Sequence, residues 1–136
     1  MKLAFMLDTD TVSYAMRGAG DVGAHLKDLS PSAVCLSSIT VAELRYGADL
    51  DRSRKIHRAI DAFTSSVQII PFDEVAARQF GHVAAALAHA GTPIGDFDAL
   101  IASHAVARDL TLVTNNTKHF SLVAGLTIVN WLKKAV

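Results

Sequence analysis

Apolar positions along this chain alternate between two rhythms. Short, nearly uninterrupted runs predict strands at residues 3–7, 33–37, 67–71, 111–114 and 126–129. A strand reads this way when a parallel sheet buries both of its faces. Between the runs, apolar residues recur at helical spacing and predict helices at 11–17, 21–29, 39–50 and 52–65. A longer helix is capped by Asp73 and ends at Gly91, with Ala76, Phe80, Val83, Ala84 and Leu87 on its core face. Another runs from the turn Thr92-Pro93-Ile94-Gly95 to about residue 108. Gly18-Ala19-Gly20 and Ser30-Pro31-Ser32 punctuate the first third of the chain. This alternation of strand and helix predicts an α/β fold around a parallel sheet covered on both faces. No linker, repeat or low-complexity tract divides it, so one domain over residues 1–136 is expected.

The pattern also places distant polar residues together. Right-handed crossovers run helices antiparallel to strands, so helix starts share an edge with strand ends. Asp8 closes the first run, Glu43 stands in the first turn of the helix after the second, and Asp98 opens the helix that feeds the fourth. Thr114, Asn115 and Asn116 follow that fourth strand. All are expected on the carboxyl edge of the sheet, where open α/β folds bind ligands.

Each acid also has a plainer reading. Thr40-Val41-Ala42-Glu43 matches a capping box. Asp96 and Asp98 would suit the positive end of a helix dipole, and Asp8 and Asp10 the turn after a strand. Against this, Glu43 shares a helical stripe with Ile39, Tyr46 and Leu50, and Asp98 one with Ile101, Ala102 and Ala105, which turns both toward buried surface. If such carboxylates converge, each like-charged pair about 4 Å apart costs roughly 4 kcal/mol at an effective dielectric near 20. Protonation or a bound cation must relieve that. Hard oxygen donors without Cys or paired His select Mg2+ or Mn2+, and hydrolysis of a phosphodiester by metal-activated water is the matching chemistry.

Composition removes other classes. The single Cys35 lies in an apolar run and excludes an internal disulfide, which fits a reducing compartment. No apolar stretch approaches the roughly 18 residues of a membrane span, and Met1-Lys2-Leu3 leads into the first strand without a signal pattern, so a cytoplasmic protein is expected. Thirteen basic residues balance thirteen acidic ones, so any nucleic-acid contact must rest on a local patch. Lys118-His119 lies beside the expected site, and Lys118 is the better candidate for a phosphate contact than the cluster Arg52, Arg54, Lys55, His57 and Arg58, which reads as a solvated helix face. The six histidines show no metal-ligand spacing and read as surface or satisfied core groups, and Trp131 as packing.

Four ordered segments resemble the PIN-domain ribonucleases, and more narrowly the VapC toxins of bacterial toxin–antitoxin pairs. They are residues 5–14 around Leu7-Asp8-Thr9-Asp10, residues 37–48 around Ala42-Glu43-Leu44-Arg45-Tyr46-Gly47, residues 91–102 around Gly95-Asp96-Phe97-Asp98, and residues 112–120 around Thr114-Asn115-Asn116. The resemblance extends to Gly125-Leu126 and Asn130-Trp131. It implies a three-layer α/β/α sandwich with a central parallel sheet of four to five strands. It also implies an Mg2+- or Mn2+-dependent endoribonuclease with Asp8, Glu43 and Asp98 as acidic metal ligands and Asn116 as the fourth member, often Asp in relatives. Asp96, Asp10, Asn115 and Thr114 are additional candidates. The implied partners are a cognate VapB-like antitoxin that inserts into or covers the site, a tRNA substrate such as the initiator anticodon stem-loop, and a second copy in a homodimer, with a higher assembly in the antitoxin complex.

Two departures stand out. Asp8-Thr9-Asp10 replaces the Asp-Thr-Asn of many relatives, and a neutral Asn116 would weaken any second metal. Leu7-Asp8-Thr9-Asp10-Thr11-Val12 also resembles the first motif of haloacid-dehalogenase-type phosphatases, where the first Asp is a nucleophile. That mechanism needs a later lysine, and none lies between Lys55 and Lys118. A catalytically silent antitoxin-binding module is the third alternative.

Overall fold

The computed structural model describes residues 2–132. The expected entry of Met1 into the first strand and the stretch 133–136 of the one-domain expectation lie outside the described residues. Five parallel strands form one sheet: β1 (Phe5–Leu7), β2 (Val34–Ser37), β3 (Gln68–Ile70), β4 (Thr111–Val113) and β5 (Ile128–Val129), in the order β3-β2-β1-β4-β5. The connecting helices are α1 (Thr9–Arg17), α2 (Val22–Lys27), α3 (Ser38–Leu50), α4 (Arg54–Thr64), α5 (Glu74–His89), α6 (Asp96–Ala107) and α7 (Thr117–Phe120).

Strand residues feed two cores by turns. Met6, Cys35 and Leu112 face one layer with Val83 and Leu87 of α5, Ile101, Ala102 and Ala105 of α6, and Phe120 of α7. Leu7, Val34, Leu36 and Val113 face the other with Val12 of α1, Val22 of α2, Leu44 and Ala48 of α3, and Ile60 of α4. The period of two along each strand thus explains why the runs are apolar throughout: both faces are interior. Cys35 is fully buried, which pushes its thiol up to about 11 and fits the small-hydrophobe reading. Trp131 packs as expected, against Phe5 and stacked on His25.

Several expectations shift. The strands are shorter than their apolar runs, because hydrogen-bonded pairing covers only the central residues. Pro31 does more than break a helix, since Pro31–Ala33 form a 3-10 turn leading into β2. Helix α7 was not expected, because four residues carry no periodicity. Tyr46 and Leu50 are 66% and 68% exposed, so the stripe shared with Glu43 is not a buried face beyond Ile39. Among the described residues no helix is long and apolar enough to cross a membrane.

From β1 the chain winds outward through β2 to β3, then returns to place β4 on the other side of β1. The winding reverses between β1 and β4. A crevice therefore opens beyond their carboxyl ends, where Asp8 and Thr114 emerge.

Candidate active site

The site is assembled from the end of β1, the first turns of α1 and α6, and the second turn of α3, where Glu43 sits five residues past Ser38 rather than in the expected first turn. Asp8 follows β1 in extended conformation, and its amide donates to the Val113 carbonyl on β4 at 3.0 Å. Its carboxylate caps α1 by accepting from the Thr11 amide at 2.8 Å, while the Thr11 hydroxyl donates to Val113 O at 3.0 Å. The turn-forming reading of Asp8 thus holds, in a side chain that is buried rather than solvated. Burial pushes its pKa up; the Thr11 and Thr114 side chains and the Thr11 amide oppose that without cancelling it, and the Asp10 charge adds to it.

Glu43 is not part of a capping box. Helix α3 starts earlier, at Ser38, with the Ser37 hydroxyl accepting from the Ile39 amide, so Thr40 lies inside the helix. The free carboxylate of Glu43 instead accepts from the Thr9 hydroxyl at 2.6 Å. Desolvation raises its pKa, and the charges of Asp98, Asp10 and Asp8 raise it further against the Thr9 hydrogen bond. Asp98, in the first turn of α6, is raised by desolvation and then by Asp8 and Asp10, with His119 pulling the other way. Asp8 and Asp10 thus lie close enough to oppose ionisation of both Glu43 and Asp98.

The additional candidates divide. Asp10 is exposed yet acts on all three acids, so its charge belongs to the site. Asp96 is exposed and contributes to none of those shifts, in keeping with a helix-dipole role. Thr114 is buried, with its hydroxyl accepting from the Asn116 amide at 2.9 Å. Asn115 turns away, its side-chain oxygen accepting from Asn130 at 3.0 Å. Asn116 pairs through Nδ2 with His119 Nδ1 at 3.0 Å. Lys118 is exposed on α7, one residue before the His119 that acts on Asp98.

Two residues escaped the sequence reading. Thr9 carried no signal of its own, because its partner is 34 positions away. His104 was expected as a satisfied core group, but only its Nδ1 is paired, with Ser37 Oγ at 2.8 Å; its buried Nε2 has no partner, and burial lowers its pKa.

A divalent cation suits this donor chemistry. The acids offer hard oxygens, and burial, with nearby carboxylates adding to it, already raises their proton affinity. Among the described residues, however, no three His, Cys, Asp or Glu side chains close into a metal-holding cluster. Glu43 and Asp98 feel the charges of Asp8 and Asp10, but the carboxylates do not form a coordination shell. Carboxylates without a counterion gain by standing apart.

A parallel sheet reversing at β1 and β4, with acids lining the crevice beyond it, defines a class of protein, and the comparisons agree on which. The PIN domain model matches residues 5–126, and the chain belongs to the PIN domain family. Its relatives are narrower. The chain is 37% identical over 130 residues to the tRNA(fMet)-specific endonuclease VapC of Salmonella typhimurium, spanning 95% of this chain and 98% of that protein. It is 35% identical over 134 residues to Ribonuclease VapC2 of Rickettsia felis, spanning 96% and 100%. Among solved structures it resembles VapBC2 of Rickettsia felis bound to a DNA fragment from their promoter, with a TM-score of 0.86 at 35% identity over 95% of this chain and 99% of that one. DNA-bound VapBC of Salmonella typhimurium gives 0.85 at 37% identity over 95% and 98%. The resemblance to haloacid-dehalogenase-type phosphatases is confined to one motif, whereas these matches run nearly the full length.

Proposed function

We propose that this chain is the toxin of a cytoplasmic toxin–antitoxin pair, a divalent-metal-dependent endoribonuclease that cuts tRNA. The observation that carries the proposal is the placement of Asp8, Glu43 and Asp98 on the carboxyl edge where the sheet reverses, close enough that the charges of Asp8 and Asp10 raise the pKa of both Glu43 and Asp98. Mg2+ or Mn2+ held by these acids would lower the pKa of water and stabilise charge on phosphodiester oxygens. Asp8, anchored by its cap and by the Val113 carbonyl, supplies the most rigid ligand. Glu43 is oriented by Thr9, and Asp98 is carried on a helix packed into the core. Asn116 offers a neutral oxygen at the far side, and Lys118 a cation for the RNA backbone. The initiator tRNA is the preferred target on the strength of the Salmonella relative's name.

The structural neighbours from Rickettsia felis and Salmonella typhimurium are VapBC complexes, which supports a VapB-like antitoxin as partner. A groove of about 630 Å3 runs between α1 and α4, lined by Met16, Ile56 and Ala59 and reaching Asp10 at the site. An antitoxin segment seated there would cover the acids. The active assembly is proposed to be a homodimer.

The test is cleavage of purified initiator and elongator tRNA by the antitoxin-free protein. Cleavage requiring Mg2+ or Mn2+, abolished by a chelator and by Asp98→Asn in a folded protein, is expected, with initiator tRNA cut first. Chelator-resistant cleavage would overturn the metal, equal cutting of all tRNAs the preference, and no cleavage alongside tight antitoxin binding would leave the silent module.

A further inference from the structure

Thr9 is the first residue of α1, immediately after Asp8, and its hydroxyl stands 2.6 Å from Glu43 Oε1 across 34 residues of sequence. An ionised carboxylate can only accept hydrogen bonds, so with Glu43 charged the hydroxyl donates. The distance falls in the range of a charge-assisted O–H···O contact. One of the two Glu43 oxygens is thereby tethered toward α1 and part of its charge is spent there. Oε2 is the oxygen left over.

This matters because divalent ions differ in how they use a carboxylate. Mg2+ needs near-octahedral geometry and takes one oxygen from each carboxylate, whereas Ca2+ accepts six to eight oxygens and readily takes both. Residues behind a ligand commonly decide such choices by fixing the ligand's orientation. We propose that Thr9 is a positioning residue that restricts Glu43 to one-oxygen contact and so sets the site's preference for a small octahedral cation over Ca2+. The proposal rests on the divalent-metal reading above. Asp8 is constrained in a parallel way, its Oδ1 being occupied by the Thr11 amide. Asp8 Oδ1 and Glu43 Oε1 thus each spend one lone pair on α1 and are held in orientation by it.

A plain structural brace between α1 and α3 would affect folding stability and both cations alike. A positioning role must instead change their ratio. The experiment is calorimetric titration of the metal-free protein with Mg2+ and with Ca2+, in the absence of RNA, for the wild type, Thr9→Ser, Thr9→Val and Thr9→Ala, with melting curves to confirm folding. Thr9→Ser keeps the hydroxyl and should keep the ratio of dissociation constants. Thr9→Val and Thr9→Ala should shift that ratio toward Ca2+ by about fivefold or more, equivalent to about 1 kcal/mol. In a Glu43→Gln background the same substitutions should leave the ratio unchanged. If Thr9→Val and Thr9→Ala weaken both ions equally, or neither, the proposal is overturned while the metal site stands. Wild-type protein that binds neither ion would instead overturn the metal reading itself.

Discussion

At the scale of single residues, the site is a store of unfavourable charge, and this gives it a pH signature. The pKa of Asp8 in the fold is raised above the ordinary 3.8, chiefly by desolvation. The folded state therefore binds that proton more tightly than the unfolded chain, and the associated stability is present at low pH and lost as pH rises through the raised value. Asp8→Asn keeps an N-cap of equal quality and removes the buried charge. In a chelator, Asp8→Asn should melt above wild type at neutral pH, with the gap closing as pH falls toward 4, as scanning calorimetry across that range would show. Saturating Mg2+ should reverse the order, because ligand binding stabilises the wild type. His104 has the opposite linkage: its pKa is lowered, so its stability is present above the ordinary 6.5 and lost as pH falls. Comparing variant with wild type at each pH cancels that contribution. Asp8 and Asp98 were legible in the sequence because one follows a strand and the other opens a helix, and Glu43 because it follows the second strand closely. Thr9 was not, since a hydroxyl–carboxylate contact depends on how α1 and α3 pack.

At the scale of elements, the caps decide where side chains point. Ser37 Oγ accepts from the Ile39 amide and has its proton to give to His104 Nδ1, which ties the cap of α3 to α6. Ser37→Ala removes the cap and leaves that ring nitrogen unpaired. A loss of about 1–3 kcal/mol is expected in urea unfolding. The turn after α1 offers a second test. Gly18 and Gly20 both have positive φ, 69° and 62°, but a Cβ at Gly18 meets nothing within 4 Å while one at Gly20 falls 2.5 Å from the Leu132 carbonyl oxygen. Gly18→Ala should cost only backbone strain of about 1–2 kcal/mol, and Gly20→Ala measurably more by the same unfolding assay. Sequence periodicity placed most of these helices. It began α3 one residue late, at Ile39, and offered Thr40 as a cap where the structure uses Ser37.

At the scale of the whole molecule, the strand order makes the site and the groove beside it continuous, since α1 leaves the crevice and lies along α4. If that groove holds the antitoxin, Ala59→Glu should weaken binding to the antitoxin by at least about tenfold, near 1.4 kcal/mol, in a protein whose circular dichroism is unchanged. Binding at wild-type strength would place the partner elsewhere. The sequence by itself determined the parallel α/β class, the carboxyl-edge location of Asp8, Glu43 and Asp98, and the family resemblance. These follow from local periodicity and chain direction, which are properties of neighbouring residues. Only the tertiary structure decided that Asp10 adds its charge to the site and Asp96 does not, that Asn115 turns to Asn130, that His104 is half satisfied, and that Thr9 holds Glu43. Each of those outcomes depends on distances between residues from different elements, and such distances are set by how both cores pack against the sheet.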